Sequence, residues 1–233
     1  MAKILMFGNQ KGGVGKSLCS MMTAAALSRS PFNLKTCIVD VDDQRSIFQA
    51  RNIDLQSYPE DTAEPFDVLP MSVAELQNSI GTLDKTYQII IIDAAGKLDS
   101  TSEVSQQEIT KSLMYVDFLF MPFVAGTFNF TASYQYFDFV RQVQKARQLQ
   151  TRQLHVNAFV NMYRSRSRSN AFLLEDLASL TDAGLMKTYL NDYAVFKDAD
   201  SITSLYDPLS TDVAKQNFGE WINELSKIIG ITE

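Results

Sequence analysis

Two rhythms of apolar and polar residues alternate along this chain. Short, nearly unbroken apolar runs recur near 3–7, 36–40, 66–69, 88–93, 117–122 and 155–162. Runs of that length bounded by polar residues read as strands. Between them lie longer stretches with helical spacing, near 16–29, 44–50, 72–84, 102–115, 129–150, 169–181 and 210–229. Strands that alternate with helices predict an α/β fold with a doubly wound, mostly parallel sheet. The strongest strand signal is Tyr87-Gln88-Ile89-Ile90-Ile91-Ile92-Asp93. Unbroken isoleucine means burial on both faces, as in the middle of a parallel sheet. Asp54 to Pro65 is polar, holds two prolines and shows no period, so it reads as a loop and as the most mobile one. Near the C-terminus Phe218, Trp221, Ile222, Leu225, Ile228 and Ile229 form one helical stripe, with Glu220, Glu224 and Lys227 opposite. Acids on the polar face oppose an anionic membrane, so the stripe predicts packing on the sheet.

The chemistry is densest between the first strand and the first helix. There the chain reads Lys11-Gly12-Gly13-Val14-Gly15-Lys16-Ser17-Leu18. A KGGxGK[ST] string arises by chance in a chain this long on the order of a few times in 10^5. Glycines permit unusual backbone angles and let amide N–H groups point at an anion, and the helix that follows adds its positive dipole end. Lys16 supplies a mobile charge for outer phosphates, and the Ser17 hydroxyl suits Mg2+. The common form GxxxxGK[ST] would place glycine at position 10. Here Gln10 stands there, and Lys11 opens the loop.

Acids at strand ends supply the other half of such a site. Asp40 and Asp42 close the second strand two residues apart, so both carboxylates point the same way. Asp93 ends the isoleucine strand, at the carboxyl edge where open α/β sheets bind ligands.

With its extra lysine, the chain resembles the deviant Walker A phosphate-loop ATPases, the ParA/MinD group, and within it the short ParF-like partition ATPases. Thr36 to Gln44 is similar to the family's DxDPQ element, with Asp43 in place of proline. Ala94-Ala95-Gly96 resembles the Gly-Ala-Gly turn of the ParF-like members. The resemblance implies one ATPase domain over residues 1–233 that hydrolyses ATP to ADP and phosphate with Mg2+. Gly12, Gly13, Val14, Gly15, Lys16, Ser17 and Leu18 would bind the nucleotide. Ser17, Asp40 and Asp93 would organise Mg2+, and Asp42 would align the attacking water. Lys11 would reach across a homodimer to the partner's nucleotide, making Lys11, Lys16 and Asp42 the catalytic set. Asn161 would contact adenine, as would the turn Tyr206-Asp207-Pro208-Leu209-Ser210 through Pro208; Asp207 reads equally well as turn chemistry before a helix cap at Ser210 or Thr211.

Charge adds a possible partner. The 233 residues carry a net −6, with 21 basic and 27 acidic residues. Yet Phe139 to Leu174 holds no acid and seven cations: Arg141, Lys145, Arg147, Arg152, Arg164, Arg166 and Arg168. Such asymmetry predicts a basic patch on an acidic body, with Arg164, Arg166 and Arg168 on a loop suited to DNA phosphates; a solvated helix face and loop is the plainer reading. The family resemblance implies nonspecific DNA binding by the ATP dimer, segregation of plasmid or chromosome with a ParB-like centromere-binding partner, and nucleoid association. A VirC1-like conjugation ATPase, a protein-cargo positioning ATPase and a dethiobiotin synthetase-type enzyme share this engine. Aromatic residues Phe128, Phe130, Tyr134, Tyr136, Phe137 and Phe139 suggest core packing plus a dimer or partner surface.

No leader, membrane span or metal-ligand cysteine spacing is evident. These features predict a cytoplasmic protein in a reducing compartment. His155, the single histidine, reads as the start of a strand.

Overall fold

The isoleucine strand lies in the interior of the sheet. The computed structural model describes residues 1–94, 103–148, 150, 152–178 and 183–231. Seven strands appear in chain order: β1 (Lys3–Phe7), β2 (Thr36–Asp40), β3 (Asp67–Pro70), β4 (Ile89–Asp93), β5 (Phe118–Phe123), β6 (His155–Val160) and β7 (Gly184–Leu185). They form one sheet in the order β3-β2-β4-β1-β5-β6-β7, and every pairing is parallel. The helices are α1 (Lys16–Leu27), α2 (Ser46–Leu55), α3 (Val73–Thr86), α4 (Glu103–Leu113), α5 (Thr127–Ala146), α6 (Arg168–Ala178), α7 (Ala194–Lys197) and α8 (Val213–Ile228).

Strand alternation divides the core in two. Ile90 and Ile92 join Ile4 and Met6 on the face covered by α3, α4, α5 and α6. Ile89 and Ile91 join Leu5 and Phe7 on the face covered by α1, α2, α7 and α8. The C-terminal stripe packs as expected: Phe218, Trp221, Ile222, Leu225 and Ile229 are fully buried. Glu224, on its polar side, accepts from the amides of Lys187 and Thr188 at 2.7 and 2.8 Å. Among the described residues no helix is long and apolar enough to cross a membrane.

Four expectations need correcting. Pro122 does not end its strand, because β5 runs on to Phe123. The Pro122 carbonyl faces the side of β1 and accepts from Asn9 Nδ2 at 2.8 Å, and the pairing of β1 with β5 ends at Phe7. The helix placed at 44–50 is α2, shifted to Ser46–Leu55, and its polar sequel is tied down. Arg51 reaches from α2 to Glu64 and to the Phe66 carbonyl, and Tyr58 donates to Asp200 at 2.7 Å. The cap of α8 is Asp212, which accepts from the amides of Ala214 and Lys215, rather than Ser210 or Thr211. Two short elements, β7 and α7, have no counterpart among the predicted ones; a two-residue edge strand is too brief to leave a period.

Candidate functional site

The carboxyl ends of β1, β2 and β4 carry the site. Asn9, just past β1, is buried and pins the loop that follows. Its Nδ2 donates to the Pro122 carbonyl at 2.8 Å and to Ser133 Oγ at 2.7 Å, while its Oδ1 accepts from the Lys11 amide at 3.0 Å. Gly13 and Gly15 take left-handed φ angles of 76° and 90°. Gly15 has a second reason to be glycine: a Cβ there would sit 2.5 Å from Asn161 Nδ2. That same Nδ2 donates to the Val14 carbonyl at 2.8 Å. Gly15 caps α1 with no side-chain acceptor, so the first amides of this helix are left for an anion.

Lys16 folds back over the loop, and its Nζ donates to the Lys11 carbonyl at 3.1 Å. Burial lowers its pKa, and the charges of Asp93 and Asp42 work against that shift. Ser17 Oγ donates to Asp93 at 2.8 Å and Ser20 Oγ at 3.2 Å. Asp93 is buried, and burial pushes its pKa up to about 7 against the pull of those two hydroxyls; the nearby Asp40 charge raises it further. Asp40 and Asp93 are direct register partners on adjacent strands. Asp40 Oδ2 accepts from the amides of Ile47 and Phe48, each at 3.1 Å, and so caps α2 from a distance. Asp40 Oδ1 is buried without a hydrogen-bond partner among the described residues, and burial raises this acid too. Asp42 Oδ1 accepts from the Gln44 amide at 2.9 Å in a local turn. Lys16, Ser17 and Asp42 open on one cavity of about 480 Å3, which extends to Val73, Ile109 and Ser112.

Two neighbouring buried carboxylates, one with an orphan oxygen and one whose pKa burial raises to about 7, make a donor set suited to a hard divalent cation. Among the described residues no cluster of three or more His, Cys, Asp or Glu side chains could hold a metal by itself. Mg2+ takes one or two protein carboxylates and completes its shell with water and substrate phosphates.

Residues 5–190 match the model of the CobQ/CobB/MinD/ParA nucleotide binding domain. The chain belongs to this family. As a ParA/MinD-type domain it has relatives of the same fold among solved structures. A plasmid partition protein from Borrelia burgdorferi is 18% identical, with 97% of this chain and 99% of that one covered and a TM-score of 0.64. An alanine variant of McdA from Cyanothece, solved with ATP, is 15% identical over 100% and 98% of the two chains, with a TM-score of 0.71. Cobyrinic acid a,c-diamide synthase from Mycobacterium smegmatis, solved with an ATP analogue and magnesium, is 16% identical over 98% and 94%, with a TM-score of 0.67. Comparison with the curated proteins gave no match.

Other expected residues of this ParA/MinD-type chain fall at varied distances from the loop. Leu18, Asn161, Asn191 and Asp192 line a narrow cleft beside α1. Asn161 commits its amide N–H to the loop backbone, so its first observable task is to hold Val14 in place. Pro208 is exposed, and Asp207 accepts from the Leu209 amide at 3.1 Å, which is turn chemistry. Ala95 and Gly96 lie outside the described residues, as do the side chains of Phe128 and Phe130. Tyr136 and Phe137 are core, and Tyr134 is exposed.

The basic window does not form one patch. Arg147 is fully buried and donates to the carbonyls of Leu113, Val116 and Arg152 at 2.6, 2.6 and 2.8 Å. Arg152 pairs with Asp84 and Asp117 at the opposite, amino-terminal edge of the sheet. Arg164 is bound to Asp192, while Arg166 and Arg168 are exposed. Sequence reasoning missed Asn9, Ser20 and Asp192. Ser20 had a signal, since it follows Ser17 by one helical turn; Asn9 and Asp192 act through contacts that no spacing announces.

Proposed function

We propose that this chain is a Mg2+-dependent ATPase that dimerises around ATP, binds DNA without reading its sequence, and partitions plasmid or chromosome DNA with a ParB-like partner. One observation carries the reading. At the foot of an uncapped helix start, Ser17 lies 2.8 Å from a buried strand-end aspartate, while Lys11 at the mouth of the same loop is exposed. Lys16 already serves the loop's own cradle, so a second lysine there is available to a neighbour.

The chemistry follows from position and charge. The amides of Gly13 to Ser17 and the Lys16 ammonium hold the triphosphate, once Lys16 leaves the Lys11 carbonyl. Ser17 and Asp93 would hold the cation, and Asp40, on the adjacent strand, would support it with its orphan oxygen. Mg2+, when bound, would neutralise negative charge on the phosphates. Asp42, on the wall of the same cavity, orients water, and Lys11 of each subunit meets the other's phosphates. Arg166 and Arg168, joined by Arg164, supply nonspecific contacts to DNA phosphates.

Light scattering on the Asp42→Ala protein with ATP and Mg2+ tests the sandwich. A dimer that needs ATP and is lost in Lys11→Ala supports it, and an ATP-loaded monomer defeats it. Gel shifts on random-sequence DNA with ATP, ADP or neither test the second half; no ATP-dependent shift, and no change in an Arg164/Arg166/Arg168 alanine triple, removes DNA. One observation favours a different class, ATP-driven group transfer to a small molecule: the cavity runs past the phosphate loop to Val73, Ile109 and Ser112. ATP turnover without any added second substrate separates the two.

A further inference from the structure

Four consecutive residues, Asn161 to Arg164, run from a contact with the phosphate loop to the start of the basic loop. Asn161 holds the Val14 carbonyl of the phosphate loop at 2.8 Å. Met162 takes a left-handed φ of 53°, an uncommon setting for a residue with a long side chain. Tyr163 bridges to Asn191, donating its amide to the Leu190 carbonyl at 2.9 Å and accepting from the Asp192 amide at 3.0 Å. Arg164 binds Asp192 through Nε at 2.7 Å and through its second guanidinium nitrogen. The other oxygen of Asp192 meets Lys197 Nζ at 2.8 Å. One carboxylate, only 8% exposed, thus occupies two cations that are themselves 71% and 57% exposed.

The cleft beside this junction is lined by Leu18 and Met22 of α1 on one side and by Asn191, Asp192 and Lys197 on the other. Its volume is about 20 Å3, room for a single water. A nucleobase carried on phosphates in the loop is several times larger. To enter this cleft it must drive the two walls apart, and the second wall carries Asp192. A ligand shifts a conformational equilibrium only through differential affinity, and here the closed cleft excludes the base while an open one admits it.

We propose that the Arg164–Asp192 pair is a latch that nucleotide entry opens, so that Arg164 joins Arg166 and Arg168 as a contact for anions only in the nucleotide-bound protein. This rests on the reading of the protein as a nucleotide-switched DNA binder. Linkage makes the latch testable without DNA, because whatever nucleotide must open also opposes nucleotide. The probe is ADP with Mg2+, titrated calorimetrically into wild type, Arg164→Gln, Asp192→Asn and the double variant. Arg164 does not line the cleft, so its substitution reports on the latch and not on contact with the base. Each single variant should bind ADP at least about 3-fold tighter than wild type, and the double variant no tighter than the singles, since all three remove one interaction. Equal affinity in Arg164→Gln and wild type, or gains that add in the double variant, overturns the latch. In a second arm, nucleotide-free Asp192→Asn should bind random-sequence duplex about 3-fold tighter than wild type, with a salt slope steeper by about one phosphate contact. Arg164→Gln should erase that gain. Tighter ADP binding with no DNA binding in any variant leaves the latch standing and removes the DNA reading; ATP-dependent DNA binding by wild type with flat ADP affinities does the reverse.

Discussion

Asp93 and Asp192 are both carboxylates that accept from two side-chain donors, and they behave in opposite ways. Asp93 sits at the buried end of β4 and receives only neutral hydroxyls, from Ser17 and Ser20. Burial outweighs those bonds and lifts its pKa to about 7. Asp192 sits near the surface and receives two cations, so hydrogen bonds from Lys197 and Arg164 hold its pKa below the ordinary carboxylate range. Hydroxyl groups satisfy a carboxylate's geometry without satisfying its charge. The first acid therefore has hydrogen bonds without a paired opposite charge, whereas the second has both.

The largest effect that could break this contrast lies at Asp93. Asp93→Asn should lower ATP turnover by at least about 100-fold while the fold persists. It should also change how stability depends on pH. An acid raised from 3.8 to about 7 in the folded state contributes least when ionised, so nucleotide-free wild type should lose stability relative to Asp93→Asn as pH climbs from about 4 to 7. The full difference reaches at most about 4 kcal/mol, read from denaturant unfolding in EDTA at pH 4 and pH 8. A difference independent of pH would show that Asp93 is already paired.

Next in size is the same contrast made with cations. Arg147 is buried against three carbonyls, and Arg147→Ala should cost about 3 kcal/mol, because those acceptors lose their donors inside the core. Arg168→Ala, at an exposed position, should stay within about 0.5 kcal/mol in the same unfolding assay. Asp40→Asn falls between them. It should cost about 1 kcal/mol as a weakened remote cap of α2, and Mg2+-dependent turnover should fall much further than stability does. Lys197→Met, which removes one of the two exposed cations paired with Asp192, should alter stability by less than about 1 kcal/mol. A larger loss there would mean that Asp192 behaves like a buried acid after all.

The same physics separates what the sequence disclosed from what it hid. The glycine loop was legible because its residues are consecutive: glycine angles, helix start and Lys16 are all set by local backbone. Asp40 and Asp93 were legible because a strand's end is visible as the end of an apolar run. The isoleucine run likewise announced a strand buried on both faces. The acid-free window misled for a complementary reason. Charge along the chain is local, but the neutralisation of Arg152 by Asp84 and Asp117 spans 68 and 35 residues, and that of Arg164 by Asp192 spans 28. Burial of Arg147 between helix ends leaves no trace in a count of cations. The loop at 56–65 looked free because its anchors, Arg51 and Asp200, lie outside it.

Helix α2 begins at a left-handed Arg45 that offers no cap, and its opening amides depend on an oxygen from β2. Whatever reorients the Asp40 carboxylate therefore pulls on the first turn of that helix. Further along α2, Arg51 and Asp54 grip Ser201 by its backbone and its hydroxyl, which fastens the same helix to the segment leading into Tyr206 and Pro208. One aspartate at the sheet's edge is thus joined by hydrogen bonds, through a single helix, to a segment far along the chain.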